Sequence, residues 1–401
     1  MLAGGAGPAT QRAMEIIVAL GRIYGARDLV PIASVQVSGV SYKNLGQAGL
    51  EFLEEWAAQG GQVRVPATLN PAGMDLVAWR ELGFSEEFAR RQQAVIQAYT
   101  ALGIQPTCTC TPYLVGHAPA LGQHLAWAES SAVSYANSLL GARTNREGGP
   151  SALAAAITGR TARYGLHLDE NRQPTVLVDV RCPIRSEADL GSLGYLVGRQ
   201  VKDGVPFLRF EQGASPAWLW KTLGAAMAAS GAVALYRVDG LTAEAQDGGL
   251  ALSALPRLTI DDLGPGYAAL NSQADRIDLV SLGCPHASLA ELAAIASFLD
   301  GRRVRTALWI TTARATRQAA QAAGLVERIE AAGGRVVADT CLVVAPVAGL
   351  GFRTMATNSA KMAFYTPSHS GLSVRFGPLE QCLEAALSGV WSPARARGLR
   401  S

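Results

Sequence analysis

The sequence predicts an α/β protein built from several lobes with mostly parallel sheets. Short apolar runs of strand length alternate with helical patterns along the 401 residues, and this alternation is typical of parallel sheets covered by helices. Two of the runs, residues 277–282 and 334–340, each lead into a cysteine, Cys284 and Cys341. Because α/β proteins place ligands at the carboxyl ends of their strands, the two cysteines indicate one shared site.

The first half of the chain follows this alternation as far as residue 180. Apolar residues spaced three or four apart predict helices, and short apolar runs between polar stretches predict strands. Helices are expected at residues 9–25, 50–58, 85–102 and 130–140, strands at 29–33, 62–65 and 175–180, and a loop at 68–71. The stretch at 106–172 is dense in polar residues, and we expect it to line a cavity because unpaired buried polar groups are costly.

The second half predicts an α/β lobe around the two cysteines. Ser288 is placed to cap a helix that carries Leu292, Ile295 and Phe298 on its apolar face. Further helices are expected at residues 216–230, 313–323 and 379–387, and strands at 233–237 and 258–260. We therefore expect an N-terminal lobe at 1–205, a second lobe at 206–345, and a mostly irregular C-terminal segment at 346–401 that packs back on the first lobe.

The composition indicates a globular protein with an extensive core. Hydrophobic residues make up 49% and charged residues 17% of the chain, a balance that predicts some surface buried against a partner. The net charge of +3 argues against nucleic-acid binding, and no apolar stretch reaches the roughly 18 residues of a transmembrane helix. The N-terminus lacks the pattern of a signal peptide, so we expect a cytoplasmic protein whose six cysteines are thiols, metal ligands or core residues.

Cys110, Cys284 and Cys341 are the first candidates for chemistry, because each lies at a turn or strand end where a thiolate can face a cleft. Three thiolates suit iron, an iron–sulfur cluster or zinc, and three protein ligands leave a coordination position open for substrate. The alternative is that they are small buried core residues, as free cysteines often are. Cys108 and Cys110 form a C-x-C, and in an extended segment only one of these two thiols faces such a site easily.

Six motifs resemble those of the aconitase X family, a hydro-lyase branch of the aconitase superfamily. They are, in family order, Thr109-Cys-Thr-Pro-Tyr113, Glu129-Ser-Ser-Ala132, the run at residues 137–149, Gly283-Cys-Pro-His286, Asp339-Thr-Cys341 and Asn358-Ser-Ala-Lys361. The resemblance implies an aconitase-like, multi-lobed α/β/α architecture. It also implies that Cys110, Cys284 and Cys341 hold an iron–sulfur cluster (2Fe-2S) or a mononuclear iron, with Cys110 as the ligand from the C-x-C.

The same motifs supply further candidates. Glu129 and Ser130 could act as catalytic acid or base, although Glu129 could equally cap a helix, and Lys361 could bind an anionic substrate group or join the catalysis. Arg146 lies beside two glycines, where an arginine can clamp a carboxylate; the alternative is a surface arginine in a polar loop. His286, two residues from Cys284, is a candidate to orient the metal ligands. Substrate contacts are expected from Tyr113, Asn137, Asn145, Arg146, Glu147 and Ser359.

The resemblance implies a hydro-lyase that removes water from a small hydroxy acid, with the metal as Lewis acid. Family members act on cis-3-hydroxy-L-proline or on 5-phosphomevalonate, and the absence of a clear phosphate-binding glycine loop favours cis-3-hydroxy-L-proline here. Family members carry a small swivelling domain that is fused or on a separate subunit, and this 401-residue chain is expected to need a separate small subunit. Two alternatives from other classes are a non-catalytic, metal-carrying scaffold subunit and a cysteine-nucleophile hydrolase.

Overall fold

The computed structural model describes residues 1–211, 220–245 and 252–392, whose strands form three parallel sheets and one antiparallel pair. This mixed α/β architecture with mostly parallel sheets is the class predicted from the sequence. In the described ranges, no helix is long and apolar enough to cross a membrane.

The first lobe combines a short parallel sheet with five helices. Its strands are β1 (Leu29–Pro31), β2 (Val35–Val37), β3 (Ala67–Leu69), β4 (Ala126–Trp127) and β5 (Arg160–Ala162), and its helices are α1 (Pro8–Ile23), α2 (Tyr42–Ala58), α3 (Glu86–Ala101), α4 (Ser130–Ser138) and α5 (Gly149–Thr158). The sheet has the order β3-β2-β4, and β1 pairs with β5 beside it. Helix α5 is buried on all sides from Ser151 onward, because alanine and leucine leave it without a polar face.

One strand of this sheet lies away from its predicted position. The prediction of a strand at residues 62–65 is wrong: the backbone amides of Val63 and Arg64 bond to the carbonyls of Leu102 and Ala156 in an irregular segment. The strand is β3, which occupies part of the predicted loop at 68–71. All three of its residues are buried, and a run this short has no period that distinguishes it from a loop.

The second lobe contains a four-stranded parallel sheet with the order β8-β7-β6-β9. Its elements are β6 (Val176–Val180), α6 (Glu187–Val201), β7 (Pro206–Phe210), α7 (Trp220–Gly231), β8 (Arg237–Val238), β9 (Arg257–Ile260) and α8 (Gly264–Leu270). The predicted strand at 233–237 is wrong except for its last residue. The predicted helix at 216–230 is seen from Trp220, and the start of that prediction lies outside the described residues.

The third lobe contains a five-stranded parallel sheet with the order β12-β11-β10-β13-β14. Its elements are β10 (Leu279–Ala287), α9 (Leu289–Leu299), β11 (Ala307–Thr312), α10 (Arg314–Ala322), α11 (Leu325–Ala331), β12 (Arg335–Ala338), β13 (Thr354–Thr357), α12 (Ala360–Ser370), β14 (Ser373–Phe376) and α13 (Leu379–Ser388). Ser288 caps α9 as predicted, since its hydroxyl accepts a hydrogen bond from the amide of Glu291 at 3.3 Å. The prediction that residues 346–401 are mostly irregular is wrong for residues 346–392, because β13 and β14 complete this sheet and α12 and α13 flank them. Residues 393–401 lie outside the described residues.

The predicted lobe boundaries at residues 205 and 345 stay predictions. Residue 205 lies between β6 and β7, which pair with each other, and residue 345 lies between β12 and β13 of the third sheet. A division by sheets would therefore group the chain differently.

A buried charge cluster joins the first lobe to the third. The guanidinium of Arg314, at the start of α10, bonds to Asp75 at 2.6 Å and also to Asp339, which follows β12. Burial alone would raise the pKa of Asp75, but bonds from the amides of Ala78 and Ala338, together with the charge of Arg314, hold it below its ordinary value. Only Arg314 has appreciable exposure, so the two carboxylates depend on it for neutralisation.

Replacing Arg314 by alanine should therefore lower the free energy of unfolding by about 2–4 kcal/mol, because two buried carboxylates lose their cation. Arg80→Ala is the matched control: its pair with Glu86 is 71% and 81% exposed, and its loss should cost no more than about 1 kcal/mol. Urea denaturation followed by circular dichroism measures both. Equal stability of the two variants would contradict the structural role of the cluster.

Candidate active site

A cleft of about 280 Å³ lies where the carboxyl ends of strands from the first and third sheets face each other. Its walls include Ser38, Asn70, Cys110, Glu129, Ser130, Arg146, Cys284, Cys341, Lys361, Tyr365 and His369. Ser38 and Asn70 follow a strand directly, and Ser130 and Lys361 lie in the first turn of the helix after a strand, which is the position that open α/β sheets use for ligands. The cleft is therefore the candidate active site.

Cys284 and Cys341 approach each other in this cleft from two strands of the third sheet. Cys284 follows Gly283, whose φ of 85° and missing side chain are both required, since a Cβ there would lie 2.1 Å from the carbonyl oxygen of Thr311. A hydrogen bond from Cys341 and the nearby charge of Lys361 outweigh burial and lower the pKa of Cys284 to about 7. The same contact raises the pKa of the donor Cys341. In the Cys284–Cys341 pair, Cys284 is therefore favoured as the thiolate and Cys341 as the protonated thiol.

Cys110 reaches the same cleft from the first lobe, whereas Cys108 does not line it. Cys108 is completely buried, and its φ of 43° takes the C-x-C out of a regular extended conformation. The sulfur of Cys110 accepts a hydrogen bond from the backbone amide of His286 at 3.2 Å. Burial raises the pKa of Cys110 to about 12. Of the two thiols, only Cys110 is placed to act with Cys284 and Cys341.

The side chain of His286 ties the cysteine-bearing segments together. Its Nε2 lies 2.8 Å from the carbonyl oxygen of Thr340, and its Nδ1 lies 2.9 Å from the hydroxyl of Thr109. A carbonyl only accepts, so Nε2 carries the proton and Nδ1 accepts from Thr109. Burial lowers the pKa of His286 to about 4, which keeps the ring neutral. Thr109 precedes Cys110 and Thr340 precedes Cys341, so one imidazole sets the spacing of both segments.

Glu129 and Lys361 form a buried ion pair beside the thiols. Glu129 also caps α4, accepting from the amide of Ala132 at 2.7 Å and from the hydroxyl of Ser131 at 2.5 Å. Burial alone would raise the pKa of Glu129, but Lys361 and these bonds lower it. Burial alone would lower the pKa of Lys361, but Glu129 and the nearby thiols raise it. Both groups therefore stay charged at neutral pH.

The carboxyl edge of the first sheet supplies three cleft residues from three neighbouring strands. Ser38 follows β2, Asn70 follows β3, and Glu129 stands two residues after β4. Glu129 was among the predicted site residues, whereas Ser38 and Asn70 were missed. The missed signal is a polar residue at the end of each strand. It was hidden for Asn70 because β3 was placed too early in the chain, and for Ser38 because β2 was not predicted.

Arg146 is the predicted substrate-binding residue whose side chain lines the cleft. Arg146 is exposed, and none of the residues that the structure describes forms an ion pair or a hydrogen bond with its side chain. Arg146 stands just before α5, whose Gly149 packs so closely on the first sheet that a Cβ there would lie 2.8 Å from the carbonyl oxygen of Ser38. A free guanidinium at the mouth of a cleft is suited to a carboxylate or phosphate.

The other predicted substrate-binding side chains lie outside the lining of the cleft. Asn145 bonds to the carbonyl of Tyr164 at 3.1 Å, and Glu147 bonds to Ser151 at 2.6 Å. Asn137 donates to the carbonyls of Thr144 and Ala234, Ser359 caps α12, and Tyr113 stacks on Tyr135 at 3.9 Å. These contacts support the walls of the site. Direct contact of these five residues with a substrate stays a prediction.

The donors of the cleft fit an iron centre. All six cysteines are free, and the three in the cleft are soft donors of the kind that bind iron and iron–sulfur clusters. In the described ranges, no three His, Cys, Asp or Glu side chains are arranged to hold one metal ion as they stand. The fit therefore rests on the chemistry of the three thiols and on their shared cleft.

Comparison with known proteins gives matches along almost the whole chain. Family models described as the first, second and third domains of aconitase X match residues 1–170, 174–263 and 277–388. The phosphomevalonate dehydratase large subunit of Methanothermobacter thermautotrophicus is 54% identical over 93% of both chains. The cis-3-hydroxy-L-proline dehydratase of Pseudomonas aeruginosa is 39% identical over 98% of this chain but 70% of its own length. The crystal structure of Thermococcus kodakaraensis aconitase X in its holo-form superposes with a TM-score of 0.90 and 46% identity, covering 96% of this chain and 97% of that one.

The ion pair of Glu129 and Lys361 leads to a prediction about the stability of the fold. Glu129→Gln or Lys361→Met alone should lower the free energy of unfolding by about 3–5 kcal/mol at pH 7, since each leaves the other charge buried and unpaired. The double variant should lose less than the sum of the two. Folding lowers the pKa of Glu129, so its carboxylate stabilises the fold fully at pH values above its ordinary pKa. This stabilisation is lost as the pH falls through the lowered pKa of the folded state.

The control for this prediction is Glu87→Gln, which breaks an exposed pair with Arg91 on α3 and should cost less than about 1 kcal/mol. Urea denaturation of the metal-free chain at pH 7 compares the four variants. Additive effects of the two single substitutions would show that Glu129 and Lys361 are not coupled.

Proposed function

The chain belongs to the aconitase X family of hydro-lyases, and from that premise we propose that it is the large subunit of a phosphomevalonate dehydratase. The observation that carries the proposal is the match to a phosphomevalonate dehydratase large subunit at 54% identity along 93% of both chains. The expectation of cis-3-hydroxy-L-proline rested on the absence of a glycine loop for phosphate. Arg146 at the cleft can bind a phosphate without such a loop, so the absence of the loop does not distinguish between the two substrates.

The runner-up substrate is cis-3-hydroxy-L-proline. The relative that bears this activity in its name is 39% identical, and this chain covers 70% of its length. The lower identity makes it the weaker of the two candidates. A metal-carrying scaffold without activity is disfavoured, because the relatives are dehydratases and the cleft that holds the thiols is also lined by the unpaired Arg146.

We propose that Cys110, Cys284 and Cys341 hold an iron–sulfur cluster or a mononuclear iron. Such a centre, when bound, supplies a Lewis acid with an open position for the hydroxyl of the substrate. The charge of Lys361 favours the thiolate form of Cys284, and His286 holds the segments of Cys110 and Cys341 at a fixed spacing. Arg146 binds an anionic end of the substrate at the mouth of the cleft.

The protonation states of Glu129 and Lys361 indicate whether either side chain can act as the catalytic base. Loss of water requires a group that takes a proton from the carbon next to the hydroxyl-bearing one. The lowered pKa of Glu129 makes it a weak base, and the raised pKa of Lys361 keeps this amine protonated. Neither is ready to accept a proton while they pair. This supports a base from a separate small subunit, in line with the name "large subunit" of the relatives.

The experiment that tests this function compares two substrates with and without the small subunit. Iron-loaded chain assembled with the small subunit should dehydrate 5-phosphomevalonate with a kcat/KM at least about 100-fold above that for cis-3-hydroxy-L-proline, because a site built for a charged group rejects an analogue that lacks it. The chain alone should be nearly inactive. Preference for cis-3-hydroxy-L-proline would establish the runner-up, and no turnover of either substrate would contradict both.

The metal ligands can be tested within the C-x-C itself. Cys110→Ser should abolish bound iron, as should Cys284→Ser and Cys341→Ser, because each removes one of three thiolate ligands. Cys108→Ser and Cys182→Ser are the matched controls and should keep their iron. Iron analysis of anaerobically purified variants gives the result. Loss of iron from the Cys108 variant with retention in the Cys110 variant would reverse the assignment.

A further inference from the structure

The described residues of the second lobe supply none of the lining of the cleft. The lining belongs to residues 38–146 and 284–369, and the lobe from β6 to α8 lies between these ranges in the chain. Helix α7 of this lobe nevertheless packs against α4 of the first lobe and against β10 and α12 of the third. Any influence of the second lobe on the site must therefore pass through contacts of this kind.

Lys221, in the first turn of α7, reaches the end of β10. Its side chain is buried, and its ammonium donates to the carbonyl oxygen of His286 at 2.9 Å and to the carboxylate of Glu291 at 2.5 Å. Glu291 lies in the first turn of α9, and the same carboxylate oxygen accepts from the amide of Ser288 at 2.9 Å. One lysine of the second lobe thus joins the end of β10 to the cap of α9.

The end of β10 depends on such contacts because its ladder is interrupted there. Residues 279–282 pair with β11, and the next pair is Ala287 with Thr312. On the other side of β10, the pairing with β13 covers residues 279–280. Residues 283–286 have no ladder partner in the described strands. Contacts outside the ladder must therefore hold this stretch in place.

His286, within this interrupted stretch, uses every polar group that it has. Its amide donates to the sulfur of Cys110, and its ring bonds to the hydroxyl of Thr109 and to the carbonyl of Thr340. The remaining group, the backbone carbonyl, accepts from Lys221. The imidazole can space the thiol segments only if its own backbone is fixed. A hydrogen bond from a charged donor suits this task, because it is roughly twice as strong as one between neutral groups.

We infer that Lys221 is a positioning residue for the metal site, which it serves by fixing the backbone of His286. The inference deepens the proposed function and rests on the iron centre proposed there. Lys221 is not in the lining of the cleft, so it acts through His286. The second lobe then determines how tightly the iron is held. The alternative is that Lys221 only neutralises Glu291 and so supports the fold.

Two variants separate these roles. Lys221→Met removes the bond to His286 and leaves Glu291 without its cation. Lys221→Met/Glu291→Gln removes the same bond but leaves no unpaired carboxylate, and the glutamine keeps an oxygen for the amide of Ser288. In the metal-free chain, iodoacetamide should alkylate Cys110 about 10-fold faster in both variants than in the wild type, because the segment that donates to this sulfur loses a bond to a charged group.

The same variants are then compared with iron bound. The iron-loaded chain assembled with the small subunit should lose its iron to a chelator about 10-fold faster in both variants than in the wild type, as expected when a group that orients metal ligands is loosened. Arg181→Met is the matched control. It breaks an exposed ion pair with Glu211 inside the second lobe and should change neither rate.

Cys382, which is fully buried in α13, reports on the fold as a whole. Its alkylation in the double variant should stay at the rate of the wild type. A double variant that alkylates Cys110 and releases iron like the wild type would overturn the inference, as would alkylation of Cys382 that rises as much as that of Cys110. If the wild-type chain binds no iron, the proposed metal site fails, and alkylation of Cys110 in the metal-free chain still decides whether Lys221 positions this segment.

Discussion

The neutralisation of two buried carboxylates by Arg314 is the interaction on which the cleft depends. Asp75 belongs to the first lobe and Asp339 to the third, and neither is stable in the interior without a cation. Their shared arginine therefore holds the carboxyl ends of two sheets against each other. The bridge between Ala72 and Thr340 lies beside this cluster, and Cys341 follows Thr340 directly. The charge cluster thus helps to hold the thiol-bearing segments of the two lobes together without touching any of the thiols, and His286 fixes their spacing.

Inside the cleft, too, one cation stabilises more than one anionic group. Lys361 neutralises Glu129 and also favours the thiolate of Cys284, so one cation serves two anionic groups. His286 is neutral and supplies geometry without charge, because burial keeps its pKa low. Arg146, which also lines the cleft, has no ion-pair partner among the described residues.

Much of this arrangement could be predicted from the sequence, because strand ends that carry cysteines have a local signal. The cap at Ser288 follows from a short-range pattern of capping residues. The predicted turn at Cys284 is wrong, because β10 continues through Cys284 to Ala287 with a shift of register after Leu282. The position of β3 could not be predicted, since three buried residues have no periodicity. The same error concealed Asn70 as a residue of the cleft. Residues 346–392 were misjudged because β13 and β14 are four-residue strands stabilised by pairing, β13 with β10 and β14 with β13.

The distribution of the thiols along the chain has a consequence for biosynthesis. The hydrogen bond between His286 and Cys110 spans 176 residues, and Cys341 comes later still, in the segment after β12. A nascent chain emerges from the ribosome with Cys110 long before its partners exist, and closing such distant contacts is slow. The complete set of donors forms only after nearly the whole polypeptide has been translated and its first and third lobes have docked. Loading of the proposed iron centre would consequently be a late event in maturation, and a chain terminated before Cys341 would lack one of the three thiols.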